Sequence, residues 1–105
     1  MIYEDVDSYF KSGLEEAGVI TTDSGSFDID GIFFDKEDQE TFVEMEIETD
    51  EPIFFVKKSS LPGDQKKNDA LLIPGRNNEA AYKCRRFEDD KSQQNIITAI
   101  YLSKD

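Results

Sequence analysis

The stretch KKNDALLIPGRNNEAAYKCRRFEDDKSQQNIITAIYLS, residues 66–103, decides the fold. Its three apolar runs, ALLIPG, AAYKCRRF and NIITAIYLS, are cut by GRNNE and EDDKSQQ, and Gly, Asn, Asp and Ser are residues that let a backbone reverse. Runs this short and this rich in Ile, Tyr and Thr read as strands, so the stretch predicts an antiparallel meander. NIITAIYLS is apolar on both faces, which places it inside a sheet and not at its edge.

Upstream, the same period of two continues. PIFFVKK is a strand with Pro52 at its first position, where a missing N–H matters least. Val43, Met45 and Ile47 alternate with Glu44, Glu46 and Glu48, the pattern of a half-buried strand. Phe27, Ile29 and Phe33 face one way, with Asp28, Asp30 and Ile32 opposite, and Gly31 marks either a bulge or a close approach of backbone. Before TTDSGS (21–26), which has the composition of a linker, the period changes. Ile2, Val6, Phe10, Leu14 and Ala17 recur at helical spacing, predicting an amphipathic helix from about residue 3 to 17 that Gly18 stops. The expected class is mainly β with one N-terminal helix (α+β): a small antiparallel β-barrel or two-sheet sandwich of about six strands. Residues 1–20 form its helical segment and residues 21–105 its β-domain, within a single domain overall.

The chain has 105 residues, 37% of them hydrophobic, with eight Phe and four Tyr, enough for one core. No run approaches the roughly 18 apolar residues of a membrane span, and MIYEDVDSYF carries carboxylates where a signal peptide carries lysines. A soluble, cytoplasmic protein is expected. Cys84 is the single cysteine and there is no histidine, so neither an intrachain disulfide, a thiol–imidazole pair nor a zinc cage can be assembled. Cys84 is expected to be a small buried apolar residue. Glu44, Glu46 and Glu48 on one strand face stand about 7 Å apart and do not converge on one ion. Asp28, Asp30 and Asp35 imitate a calcium loop only loosely, because Phe33 and Phe34 fall inside it. No glycine-rich phosphate loop is present. The expectation is a protein that is not an enzyme, with no metal and no cofactor.

Charge is divided along the chain. Residues 1–56 carry 17 acids against two bases, a net −15; residues 57–105 carry seven acids against ten bases, a net +3. If the fold keeps the halves on different faces, copies attract each other; the alternative is a carboxylate coat that merely keeps the surface solvated. Lys57, Lys58, Lys66, Lys67, Arg85 and Arg86 are candidates for a basic patch. A nucleic-acid surface is one reading of them, opposed by the strongly negative first half, and contact with a partner's carboxylates is the other. The candidate assembly interface comprises Glu44, Glu46 and Glu48 as an acidic edge, Lys57, Lys58, Lys66 and Lys67 as its basic counterpart on a neighbour, and the apolar Val6 and Phe10.

In order along the chain, GIFFD (31–35), PIFFVKKSSL, KKNDALLI, a Pro-Gly turn, AAYKCRRF, an EDD turn and NIITAIYL resemble the small head-tail joining proteins of tailed phages, the lambda-type attachment family and its prophage relatives. The resemblance covers about residues 27–103. Asn68 stands where the family pattern carries Gly, the loop after GIFFD is short, and SSLPGDQ is longer than the pattern. The resemblance implies a small β-barrel or sandwich and a virion structural protein, held in the host cytoplasm before assembly. It implies a ring, commonly hexameric, between the portal and connector of the DNA-filled head and the tail, with non-specific proximity to DNA in the lumen and no membrane partner. Two other readings stay open: an acidic DNA-mimic or inhibitor-type binding protein, and another small tail-completion or terminator component.

Overall fold

The computed structural model describes residues 15–34, 51–91 and 96–103. Six strands run in the order β1 (Glu16–Thr22), β2 (Gly25–Phe34), β3 (Ile53–Lys57), β4 (Ala70–Leu72), β5 (Tyr82–Lys91) and β6 (Ile96–Ser103). They close into a barrel with the neighbour order β1-β2-β3-β6-β5-β4, and every pairing is antiparallel. Closure comes from β4 meeting β1, Val19 opposite Leu72 and Thr21 opposite Ala70. Of the two expected architectures, barrel and sandwich, the barrel is the one formed.

Alternation sorts the side chains. Ile20, Ile29, Phe33, Phe54, Val56, Leu71, Tyr82, Cys84, Ile100 and Leu102 come from all six strands and meet in the interior. Phe27, Ile29 and Phe33 lie on the interior side of β2, with Asp28 and Asp30 exposed on the other. A second cluster, Ile32, Phe34, Ile53, Phe55, Ile97, Ala99 and Tyr101, lies on the outward side of the adjacent strands β2, β3 and β6, each residue at most 2% exposed. Residues 31–34 of β2, 53–56 of β3 and 97–102 of β6 are buried on both faces, which is why IFF and IFFV are apolar throughout and IITAIYL is apolar but for Thr98. β6 does sit inside the wall, between β3 and β5.

The interior is fitted around Phe54. Gly18 and Gly31 stand next to its ring, and a Cβ built on Gly31 would lie 2.5 Å from the Phe55 carbonyl oxygen and 2.7 Å from Phe54 Cε2. Gly31 is the residue at which the β1 and β3 ladders meet, opposite Glu16 on one side and Val56 on the other with no register shift in either, and the packing of Phe54 and the Phe55 carbonyl over it makes it a close approach of backbone. The bulge lies in β5: Cys84 pairs with Leu102 and Arg86 with Tyr101, leaving Arg85 as the extra residue.

Several sequence expectations are corrected. The helix expected to end at residue 17 is not supported: Glu16 and Ala17 are extended and pair with Gly31 and Asp30. VITT is β-branched, and a strand there completes two ladders at once, which outweighs a helical spacing. The remainder of that helix, with Val6 and Phe10, lies outside the described residues, as does the strand expected at 43–47. TTDSGS is not a linker but the tip of the β1–β2 hairpin, with Thr22 opposite Gly25. The boundary expected at residue 20 therefore falls within β1. EDDK does not turn either; β5 continues through it to Lys91. Among the described residues the helical turns are two three-residue 3-10 segments, Lys58–Ser60 and Asn77–Glu79.

Candidate assembly surfaces

One side wall of the barrel is built by a turn and the bulged strand. Lys66 to Asp69 form a reverse turn closed by Asp69 N–H to the Lys66 carbonyl (3.1 Å), and the Asp69 carboxylate accepts the Lys66 N–H (2.7 Å). Asn68 holds φ +77° at the third position of this turn, where a type II turn takes Gly or Asn. Asn68 N–H and Cys84 N–H then tie the turn to β5 through the Cys84 and Asp69 carbonyls. The result is that Lys67, at the turn's tip, and Lys83 and Arg85, on the outer face of β5, line one shallow hollow of about 340 Å³ with Asn68 and Ser103. All three cations are exposed, and none has an ion-pair partner among the described residues.

The other lysines of the expected basic edge are differently placed. Lys66 reaches across to Asp23 on the β1–β2 hairpin (2.6 Å), and this hydrogen bond raises its pKa. Lys58 binds Asp89, whose other oxygen accepts the Thr98 hydroxyl (2.7 Å); the Lys58 bond, then the Thr98 bond, hold the Asp89 carboxyl below its ordinary range. Lys58 and Asp89 line a second hollow together with Leu61 and Phe87, at the barrel end where Phe27, Leu61 and Phe87 pack half-buried against the interior. Lys57 closes β3 and is half-buried. Lys58 and Lys67 thus line different hollows, and Lys58 and Lys66 already hold carboxylates of their own chain. Glu44, Glu46 and Glu48 lie outside the described residues.

The opposite end is stoppered by Arg76. Its guanidinium lies 4.0 Å over the Phe33 ring and donates to both oxygens of Glu16 (2.9 and 2.7 Å). The loop that presents it is left-handed at Asn77, Asn78 and Glu79 (φ 53°, 53° and 63°), which GRNNE suits because Asn tolerates that region. Arg86 stacks over Tyr101 at 3.9 Å, at the margin of the outer apolar cluster. On the far wall from Lys83 and Arg85, Asp28 and Asp30 project from β2, exposed and without an ion-pair partner among the described residues.

Cys84 is interior, and burial pushes its thiol up to about 12, so it is not a thiolate at neutral pH. Asp64 is held low first by the Ser24 side chain and, against desolvation, by the Thr22 hydroxyl and the Ser24 N–H, and these bonds pin the β1–β2 hairpin to the 61–65 loop. Among the described residues no group of three or more Cys, Asp or Glu could hold a metal ion, and no helix is long and apolar enough to cross a membrane. Sequence reading named Arg85 as part of a basic patch but passed over Lys83. The alternation Y-K-C-R, which puts Lys83 and Arg85 two apart on one face, was the available signal.

Compared with known families, residues 3–100 match the model of the family described as Phage Head-Tail Attachment protein. No curated protein and no solved structure matches the chain.

Proposed function

The chain belongs to the phage head-tail attachment family, a structural family of the virion, and on that premise we propose that it is a ring subunit joining the portal or connector of the DNA-filled head to the tail. The observation that carries this is the family match over residues 3–100, nearly the whole chain. The ring is hexameric in this reading, stored as free protein in the host cytoplasm before assembly. Its contribution is shape and contact rather than covalent chemistry. We assign Glu44, Glu46, Glu48, Val6 and Phe10 to the docking contacts made on assembly, together with Lys57, Lys58, Lys66 and Lys67. Lys58 and Lys66 would exchange their own-chain carboxylates for a partner's as they dock. The lumen of the ring lies near DNA without reading its sequence.

The test is complementation in a phage or prophage lacking this gene. Lysates are expected to hold filled heads and separate tails, and adding the purified protein is expected to restore joined, infectious particles. Joined particles formed in its absence would reject the reading. Joined but leaky or misterminated tails would favour a tail-completion role instead.

A further inference from the structure

The ring reading leaves open which surfaces of the barrel meet, and the strand order supplies an answer. In the cycle β1-β2-β3-β6-β5-β4, strands β2 and β5 are three steps apart in either direction, so they lie on opposite sides of the barrel. The outer face of β2 carries Asp28 and Asp30; that of β5 carries Lys83 and Arg85, with Lys67 beside them. All five side chains are exposed and lack ion-pair partners among the described residues, while Lys58, Lys66, Arg76 and Arg86 each have a carboxylate of this chain within reach. We propose that copies of this chain associate head to tail, the Asp28/Asp30 wall of one barrel meeting the Lys67/Lys83/Arg85 wall of the next.

Opposite placement matters to the symmetry. A two-fold dimer needs a self-complementary patch, and neither wall is one, since each repels its own kind. Complementary patches on opposite sides make a heterologous contact, which propagates and closes into a ring when the rotation per copy divides a full turn. Alternation already turns Lys83 and Arg85 outward, and the β5 bulge, with one extra residue between Cys84 and Arg86, brings Arg86 to the outer side as well, over Tyr101. A second copy fits this cationic wall because it brings its own complement, Asp28 and Asp30 on the opposite side of the same barrel, at a spacing set by the strand; the net charge of −12 opposes the approach of a copy and of a phosphate backbone alike and does not choose between them.

This inference rests on the ring reading, and the experiment separates the two. Wild-type protein, Lys83→Glu/Arg85→Glu and Asp28→Lys/Asp30→Lys are purified, and their assembly on tailless heads is followed by electron microscopy and by the number of copies bound per head. The wild type is expected to load several copies per head, less well as salt rises. Each variant alone is expected to load at least about tenfold less efficiently, with unchanged circular dichroism, because like charges then face each other. An equimolar mixture of the two is expected to load again, since every contact in an alternating ring is then between opposite charges. Variants that load like the wild type, or a mixture that fails to recover, would overturn the head-to-tail pairing while leaving the ring reading intact. Wild-type protein that binds heads as a single copy would reject the ring reading and this inference together. Binding of wild-type protein to duplex DNA that is lost in Lys83→Glu/Arg85→Glu, with loading unaffected, would assign the wall to phosphate instead.

Discussion

Gly31→Ala tests the packing of the barrel at its tightest point. The added Cβ would sit 2.5 Å from a backbone oxygen and 2.7 and 2.8 Å from two atoms of the Phe54 ring, all closer than carbon is found in folded proteins. Phe54 is fully buried, wedged among interior side chains of neighbouring strands, and the Phe55 carbonyl belongs to a central strand, so neither can swing aside cheaply. Overpacking of a rigid core costs about 1–3 kcal/mol, and a backbone contact belongs at the upper end. Alanine also restricts the unfolded chain, which returns about 0.5 kcal/mol. A net loss of about 2–3 kcal/mol is expected, a fall in Tm of roughly 10–20 °C for a domain of this size. The control is Gly18→Ala on the neighbouring strand. Its Cβ would meet Leu71 Cδ1 at 3.4 Å and Phe54 Cε2 at 3.5 Å, ordinary contacts, so it is expected to stay within about 1 kcal/mol of wild type. Equilibrium urea unfolding of both variants, with Gly31→Ala/Phe54→Leu to relieve the ring contact alone, is the assay. Partial recovery in the double variant is expected, because the backbone contact remains. A Gly31→Ala protein as stable as wild type, or a Gly18→Ala protein equally damaged, would refute the packing described.

Asn68→Gly is expected to stabilise the protein by about 0.5–1 kcal/mol, since φ is +77° there, and Asn68→Ala to destabilise it by about 1 kcal/mol in the same urea titration. Cys84 is expected to resist thiol reagents until the protein unfolds. Its folded pKa of about 12 lies above the ordinary 9.0, so its contribution is complete below pH 9 and is lost as pH rises toward 12, by about 1.4 kcal/mol per pH unit. Cys84→Ala removes that slope, visible in the pH dependence of unfolding. Asp89 titrates below its ordinary 3.8, so its contribution is present at neutral pH and lost as pH falls through the folded value; Asp89→Asn is expected to flatten the acid limb of the stability profile. Arg76→Ala removes a two-point bond to Glu16 and the contact over Phe33 from a site about one-third exposed, and a loss of about 1 kcal/mol is expected on thermal unfolding. Arg76→Lys is expected to recover less than half of it.

What the sequence disclosed was mostly what alternation can carry. Phe27, Ile29 and Phe33 against Asp28 and Asp30 fixed the two faces of β2, and the doubly apolar NIITAIYLS fixed β6 inside the wall. Asn68 was noticed as a departure from a Gly pattern, and its positive φ explains why Asn is tolerated there. The misreading at residues 15–17 has a definite cause. Leu14 and Ala17 continue a helical spacing, but Gly18, Ile20 and Thr22 alternate inward just as well, and only the closure of the barrel through β4 decides between them. EDDKSQQ was read as a turn for its Asp and Ser, although strand β5 continues through EDDK and places Asp89 at the barrel end against Lys58 and Thr98. The cationic wall was half visible. Which lysines are free is a property of the tertiary ion pairs, Lys58 with Asp89 and Lys66 with Asp23, and no spacing rule foretells those. Nor can linear order show that β2 and β5 lie opposite each other, which follows from strand order alone.

The most direct measurement is electron cryomicroscopy of the head-tail junction in the intact particle, with this chain located by its barrel. A closed ring of barrels at the single tailed vertex, β2 of each against β5 of the next, is the predicted density. Particles whose junction lacks the chain, or which carry it scattered over the capsid surface, would contradict the account.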